Sequence, residues 1–495
     1  YIEAPDFEIL LLAYAFDDGP IKIIDFACHD KLPNNLIAAF TDSDIVKVAY
    51  NAIFERVCIA HSLGVATPPE QWECLMVKSL VFGLPKSLEM VCDALNISAN
   101  QKKLSIGKAL IKHFCAPTPN GKRVHPKDDP ERWQQMIAYC IRDVEAERTI
   151  DKVLAEYPTP PEFERKLWII DQYINELGVG VDVEMVSNVC AYYEQYKDKL
   201  LTQAQELSGI YNPQSNAQAK RWLASRGFHI ESLNQKTIAE IIETTNDQTV
   251  IDFLRLYVEI QRKSIEKYTA LQNAVCSDGR IRGLLQFHGA STGRWTSYIV
   301  QLHNLPRNKM ATLDEARELV KANDFDVLEL LYSAPVKVLS ELIRTAFIPA
   351  AGHVYVIADF AAIEARIISW LAGETWRNEV FATHGKIYEA SAAKMYRIPL
   401  KDVTPELRTK GKIAELALGY GGGVGALKRM GADAFLTNHE MQELVYDWRA
   451  TNPAIVDLWA RMEEAAKMAL DYPGMTLRPA PNKDVGFTMV KDTLF

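Results

Sequence analysis

The order of apolar and polar residues in the first third of the chain predicts alternating strands and helices. Apolar runs at Ile9–Phe16 and Ile21–Phe26, joined by a polar turn, predict a β-hairpin. A further strand is expected at Ile45–Ala49, with a helix over Asn51–Leu63. Helical periodicity then predicts a long helix over Arg132–Glu156. This alternation is typical of an α/β domain.

The rest of the chain is predicted to be mainly helical. Tyr157–Pro161 contains three prolines and marks a boundary, because proline lacks an amide donor and restricts the residue before it. The pattern is helical from Glu162 to about Ala274. After Cys276, short strands and glycine turns precede a second helical stretch, Ala362–Asp471, and Gly486–Phe495 reads as a strand.

Composition indicates a globular protein, with 48% hydrophobic and 24% charged residues. No stretch approaches the ~20 apolar residues of a membrane span. The eight cysteines are scattered without a Cys-x-x-Cys pair, which argues against a zinc site or a disulfide framework and for a reducing cytoplasm. A net charge of −9 does not exclude a nucleic-acid ligand, but it requires basic residues to be segregated on one face.

A carboxylate follows a predicted buried strand in the last third of the chain. The β-forming residues Val354–Ala358 end at Asp359, and a helix is expected from about Ile363. A carboxylate at such a strand end is suited to Mg²⁺, which prefers oxygen ligands. The alternative is that Asp359 only caps the following helix.

A row of side chains with a spacing of four residues follows this carboxylate. Arg408, Lys412, Leu416 and Tyr420 share one slowly drifting helix face about 18 Å long. Two cations followed by an aromatic ring would suit a nucleoside triphosphate, since cations bind phosphate through charge-assisted hydrogen bonds. The alternative is an ordinary solvated basic face.

Two polar segments with arginines lie upstream. Gly289–Ser297 and Gln301–Arg307 could line a nucleic-acid duplex and contact its phosphates and minor groove. The alternative is an ordinary polar loop.

In this order and spacing, the three segments resemble the polymerase domain of the family A (DNA polymerase I-like) DNA polymerases, especially bacteriophage members. Asp359–Arg366 is similar to motif A. The resemblance implies that Asp359 is catalytic and binds both metal ions. It implies that Phe360 contacts the dNTP and that Glu364 excludes a ribose 2′-hydroxyl.

The helical row resembles motif B of the fingers. The resemblance implies that Arg408 and Lys412 hold the incoming triphosphate, that Lys412 is also catalytic, and that Tyr420 contacts the dNTP. Leu416 stands where the family usually has Phe or Tyr, which puts the discrimination of dideoxy sugars in doubt. Tyr388 falls where bacterial members often have a His that contacts the triphosphate.

The upstream segments resemble the primer–template contacts of the family. This implies DNA-binding roles for Arg294, Asn304 and Arg307, together with Lys263 and Lys267 of the thumb.

The first third resembles the family's 3′–5′ proofreading exonuclease. Asn51–Glu55 and Tyr139–Asp143 are similar to its second and third motifs. This implies that Glu55 and Asp143 bind metal and that Tyr139 positions the attacking water. Glu55 stands where many relatives have Asp. The alternative is that these are helix-surface acids.

Two expected motifs are not found: the first exonuclease motif, Asp-x-Glu, and motif C of the palm. We therefore expect an incomplete chain that extends primers little by itself. A partial reading frame, a shortened form and one half of a split polymerase remain open, the last implying a separate C-terminal polymerase segment as partner.

The resemblance predicts an α/β exonuclease domain, RNase H-like with a mixed sheet, followed by an α+β right-hand polymerase with helical thumb, palm sheet and helical fingers. The expected regions are the exonuclease-like domain (1–156), linker and thumb (157–275), partial palm (276–370), and fingers with the start of the returning palm (371–495).

The expected function is template-directed addition of dNTPs to a primer 3′-hydroxyl. It would use two Mg²⁺ ions per active site, or Mn²⁺, in the bacterial cytoplasm of a phage-infected or prophage-carrying cell and without a membrane partner. A catalytically inactive DNA-binding relative and a stand-alone 3′–5′ exonuclease are the alternatives.

Overall fold

A computed structural model describes residues 2–4, 6–97, 106–118, 121–262, 265–480, 483–490 and 493–494. The chain forms two compact units, residues 1–355 and residues 356–495. None of the described helices is long and apolar enough to cross a membrane.

The first unit begins with an α/β region. Strands β1 (Leu11–Tyr14) and β2 (Lys22–Asp25) form the predicted antiparallel hairpin, and β3 (Lys47–Ala49) pairs in parallel with β4 (Trp72–Cys74). Among the described residues these strands make two separate pairs rather than one mixed sheet. The helices of this region are α1 (Asn34–Thr41), α2 (Ile53–Leu63), α3 (Leu75–Val81), α4 (Leu88–Ala94), α5 (Gly107–Cys115) and α6 (Pro130–Leu154).

A mainly helical region follows, as the sequence predicts. Its helices are α7 (Glu162–Leu177), α8 (Val183–Ser208), α9 (Asn216–Ser225), α10 (Gln235–Thr244), α11 (Gln248–Ile260), α12 (Glu266–Ala274), α13 (Leu313–Lys321), α14 (Phe325–Leu331) and α15 (Pro335–Leu342). Its short antiparallel strands are β5 (Val179–Val181), β6 (Arg280–Ile281), β7 (Leu285–Gln286), β8 (Thr296–Ser297) and β9 (Phe347–Ile348). They pair in the orders β6-β5-β9 and β7-β8.

The core of the α/β region includes residues from beyond the proline segment. Trp168 of α7 and Phe287, just after β7, are buried in one cluster with Ile24 and Trp72. Trp295 packs against the same cluster. The hairpin that carries the Thr292–Arg294 segment is therefore anchored on the core of the α/β region.

The second unit is a helical bundle with a small sheet. Its helices are α16 (Ile363–Ala372), α17 (Thr375–Ala382), α18 (Ile387–Tyr396), α19 (Pro405–Leu418), α20 (Val424–Arg429), α21 (Asn438–Thr451) and α22 (Pro453–Asp471). Strands β10 (Thr476–Leu477), β11 (Phe487–Val490) and β12 (Thr493–Leu494) pair antiparallel in that order. The single strand predicted over Gly486–Phe495 is thus two short strands.

The prediction of a buried strand at Val354–Ala358 is wrong. The segment has no strand assignment and is exposed; Val356 is 91% and Ile357 90% accessible. β-forming residues make a strand only when another backbone supplies hydrogen bonds, and no described strand pairs with this segment. Asp359 therefore follows an exposed extended segment.

Candidate active site

Helix α19 presents the predicted row of side chains to solvent. The helix begins after Thr404, whose hydroxyl accepts a hydrogen bond from the Leu407 amide at 3.2 Å, and has Pro405 in its first turn. Arg408, Lys412 and Leu416 are exposed, as the spacing of four residues predicts.

Helix α19 differs from a uniformly exposed helical face at Tyr420 and at Gly411. Tyr420 is exposed but lies in the turn beyond the last helical residue, Leu418. Gly411 is buried beside the row, and a Cβ at this position would lie 2.3 Å from the carbonyl oxygen of Tyr388.

Arg408 is engaged by the neighbouring helix α18. Its Nε donates to Glu389 Oε1 at 2.8 Å, and its guanidinium carbon lies 5.7 Å from the ring centroid of Tyr388. Partial burial works to raise the pKa of Glu389, but the hydrogen bond and charge of Arg408 outweigh it and the pKa is lowered. The structure thus brings Tyr388 and Arg408 together.

Lys412, unlike Arg408, has no ion-pair partner among the described residues. Its side chain is nevertheless exposed. Of the two cations of the row, Lys412 is therefore the one that an anionic ligand can approach without displacing an internal carboxylate.

Glu364 and Tyr420 line one small cavity of about 190 Å³. Its remaining lining is apolar and comes from α16 and its start: Ile363, Ile367, Ile368 and Leu371. Glu364 lies in the first turn of α16, which follows Ala362 in a left-handed conformation with φ of 51°. Asp359 and Phe360, just before this turn, are exposed.

The predicted DNA-binding residues lie in the first unit. Arg294 is exposed in the turn between β7 and β8, beside Gly293, whose φ of 76° suits glycine. Lys267 of α12 donates to the carbonyl oxygen of Asn304 at 3.2 Å, and Arg307 is exposed three residues later. Lys263 lies outside the described residues.

Sequence reasoning missed Arg344 in this region. This exposed residue donates to the carbonyl oxygens of Pro306 at 2.6 Å and Leu305 at 2.9 Å. Burial, and then the charge of Arg344, lower the pKa of Lys267. The sequence indicates a role for Arg344 only because it is an isolated cation in the mainly apolar stretch Leu342–Phe347.

The exonuclease-like residues come together in the α/β region. Glu55 lies in the first turn of α2, and its buried Oε2 has no hydrogen-bond partner among the described residues. Burial and the nearby Asp143 raise the pKa of Glu55 to about 8. Tyr139 hydrogen-bonds to Asp143, and its own pKa is raised by burial and by that carboxylate.

Two neighbouring carboxylates, one with an unsatisfied buried oxygen, fit a divalent cation, because Mg²⁺ is often bound by one or two protein carboxylates. No group of three or more His, Cys, Asp or Glu residues among the described residues could hold a metal ion. Asp359 accordingly has no such cluster around it within the described residues.

Comparison with known proteins identifies the fold of the chain. In fold, the chain is similar to the POL domain of Pol1 from M. smegmatis, solved in complex with DNA primer-template and dNTP. The TM-score is 0.60 at 18% identity, over 93% of this chain and 73% of that one. The fold is that of a DNA polymerase domain.

The sequence profile of DNA polymerase family A matches residues 183–478. The chain belongs to this family of DNA-directed DNA polymerases, and the resemblance seen in the sequence is confirmed. It is 51% identical over 480 residues to the DNA polymerase of Bacillus phage SP02, covering 95% of this chain and 74% of the phage protein. It is 24% identical over 265 residues to DNA polymerase I of Caldicellulosiruptor bescii, covering 52% of this chain and 28% of that protein.

Proposed function

We propose that this chain binds a primer–template duplex and a complementary dNTP for transfer of the nucleotide to the primer 3′-hydroxyl. The observation that carries the proposal is the exposed row on α19 together with the cavity that Glu364 and Tyr420 share. Family membership supports the reaction class.

In this proposal, residues of the second unit would bind different parts of the nucleotide. Lys412, and Arg408 once released from Glu389, would bind the triphosphate through charge-assisted hydrogen bonds. Tyr420 and Leu416 would contact the base and sugar, and Glu364 would exclude a 2′-hydroxyl. Tyr388 and Phe360 would complete the nucleotide contacts.

Asp359 would bind metal. Two Mg²⁺ or Mn²⁺ ions, when bound, would neutralise phosphate charge and activate the 3′-hydroxyl.

The first unit would hold the duplex. Arg294, Arg307 and Arg344 are exposed. The half-buried Lys267 and Arg344 donate to backbone carbonyls of the segment Asn304–Pro306. Contacts of this kind to phosphates position a duplex without reading its sequence.

A second activity, 3′–5′ exonucleolytic removal of a mispaired nucleotide, is favoured by one observation. The charge of Asp143 acts on Glu55, whose buried Oε2 is unsatisfied among the described residues, and Tyr139 is hydrogen-bonded to Asp143. In this proposal the two acids hold a metal ion and Tyr139 orients the attacking water.

Equilibrium binding of a fluorescent dNTP to the chain tests the polymerase proposal. Lys412→Ala should weaken binding by roughly 10- to 150-fold, because a hydrogen bond to a charged group is worth about 1.5–3 kcal/mol. Lys401→Ala, an exposed lysine just before α19, is the control and should bind as the parent does. Parental affinity in Lys412→Ala would contradict the proposal and favour a relative that only binds DNA.

A further inference from the structure

Arg377 of α17 is a fully buried arginine in the second unit. Its guanidinium donates to Ser369 Oγ at 2.7 Å, to Glu415 Oε1 at 2.8 Å and to Asn452 Oδ1 at 2.9 Å. These partners come from α16, from α19 and from the residue that precedes α22. A single side chain thus connects three helices of the unit.

Both carboxylate oxygens of Glu415 are held inside the protein. A second guanidinium nitrogen of Arg377 donates to Oε2, and Trp448 Nε1 donates to Oε1 at 3.0 Å. The Glu415 side chain is 1% exposed. A buried carboxylate stays inside only while such partners balance the loss of hydration.

Glu415 lies on the same helix as Lys412, three residues further on. Residues at this spacing lie about 60° apart around the helix and are side-chain neighbours, so oppositely charged pairs there attract each other. Lys412 has no carboxylate partner among the described residues, because Glu415 points inward instead. If Glu415 turned toward solvent, Lys412 would be its nearest cation along the helix.

We propose that Arg377 is a positioning residue for nucleotide binding: it holds Glu415 in the core so that Lys412 remains available to the triphosphate. The inference rests on the proposed function, in which Lys412 binds that triphosphate. Arg377 touches no substrate in this account and acts through Glu415 alone.

Dissociation constants for a fluorescent dNTP, measured on variants of the full chain, test the inference. Arg377→Met should weaken binding several-fold, because the released carboxylate pairs with Lys412 and also repels the triphosphate. Glu415→Gln should bind within about twofold of the parent, and the double variant Arg377→Met, Glu415→Gln should recover that affinity. Such recovery is a strong departure from additivity.

Arg56 of α2 offers a matched control in the first unit. Its buried guanidinium donates to Gln172 Oε1 at 2.8 Å and pairs with Glu176 at 2.5 Å. Arg56→Met also removes a buried cation from its partner, so it should lower the melting temperature without changing the affinity for the dNTP. Under a purely structural role of Arg377, Glu415→Gln would raise the melting temperature of Arg377→Met by removing its uncompensated buried charge, but the folded Arg377→Met protein would already bind dNTP with the parental dissociation constant.

Folding is checked by thermal melts. If Arg377→Met does not fold, Arg377→Lys carries the same comparison, since lysine keeps the charge but loses the forked contact to Glu415. Its dNTP affinity should fall several-fold and recover with Glu415→Gln.

The inference is overturned if the folded Arg377 variants bind dNTP as the parent does, or if Glu415→Gln fails to restore binding. The dNTP affinity of Lys412→Ala distinguishes failure of this inference from failure of the proposed function. If Lys412→Ala loses dNTP binding while the Arg377 variants keep the parental affinity, only this inference is overturned. Unchanged binding in Lys412→Ala overturns the proposed function and the inference with it.

Discussion

Glu364 has two possible uses that a single substitution separates. As the residue that excludes a 2′-hydroxyl, it acts from the wall of the cavity it shares with Tyr420. As a first-turn acid of α16, it contributes only about 0.3–1 kcal/mol through the helix dipole. Glu364→Ala should therefore raise rNTP affinity relative to dNTP affinity by at least about tenfold, since loss of a steric clash favours only the ribonucleotide.

The control for this prediction is Glu440→Ala. Glu440 is also a first-turn acid, in α21, where its carboxylate accepts a hydrogen bond from the Thr437 amide at 2.7 Å. Its removal should lower stability and leave the rNTP to dNTP ratio unchanged. An unchanged ratio in Glu364→Ala as well would leave Glu364 with a helix-dipole role only.

Glu55 makes stability depend on pH. Its pKa of about 8 in the fold lies above the ordinary value of 4.5, so the fold favours the protonated acid. This contribution to stability is fully present below about pH 4.5 and is lost as the pH rises through about 8. With chelator present, Glu55→Gln should be more stable than the parent above pH 8.

Divalent metal should make the parent more stable than Glu55→Gln, the reverse of the order expected with chelator. Mg²⁺ or Mn²⁺ bound by Glu55 and Asp143 favours the ionised form, so millimolar metal should raise the melting temperature of the parent at pH 8 but not that of Glu55→Gln. Glu89→Gln, an exposed acid of α4, should respond as the parent does. Equal metal stabilisation of all three proteins would contradict a metal site at Glu55.

At the scale of elements, the contact of α18 with α19 depends on Gly411. A Cβ at this position would lie 2.3 Å from the Tyr388 carbonyl oxygen and 3.1 Å from Ala392 Cβ. Gly411→Ala should therefore lower the free energy of unfolding by about 1–3 kcal/mol despite the better helix propensity of alanine. It should also weaken dNTP binding, because α19 must move away from α18.

Gly425→Ala is the matched substitution. Gly425 lies in α20 with open space around the added Cβ, so alanine should raise the free energy of unfolding by up to about 1 kcal/mol. Chemical denaturation of both variants measures the difference. Similar stability of Gly411→Ala and Gly425→Ala would show that the α18–α19 contact tolerates a side chain.

Elements set by local pattern were predictable from the sequence. The hairpin β1–β2, helix α6 and the exposed row on α19 follow from periodicity and turn residues. The strand prediction for Val354–Ala358 was wrong, because strand formation depends on a neighbouring backbone that no local sequence pattern encodes. The bonds from Arg344 to Pro306 and from Arg377 to Glu415 join residues 38 apart, and only tertiary packing brings them together.

At the scale of the whole molecule, a net charge of −9 coexists with a local basic surface. Primer–template affinity should fall steeply with salt, because contacts to phosphates release counterions. Arg307→Ala and Lys267→Ala should each weaken binding to all sequences alike and reduce the slope of log affinity against log salt by about one. Lys108→Ala, an exposed lysine of α5, should leave the slope unchanged. Affinity that does not depend on salt would contradict a phosphate-binding surface.

The most direct test of the central claim, template-directed nucleotide selection, is the affinity of each of the four dNTPs for the chain bound to a primer–template. The primer ends in a dideoxynucleotide, so that no extension can occur. The account predicts that the dNTP complementary to the template base binds at least about tenfold more tightly than the other three, a difference of about 1.4 kcal/mol. It also predicts that the preferred dNTP changes when the template base is changed. Equal affinity for all four dNTPs, or a preference that does not follow the template, would contradict the account.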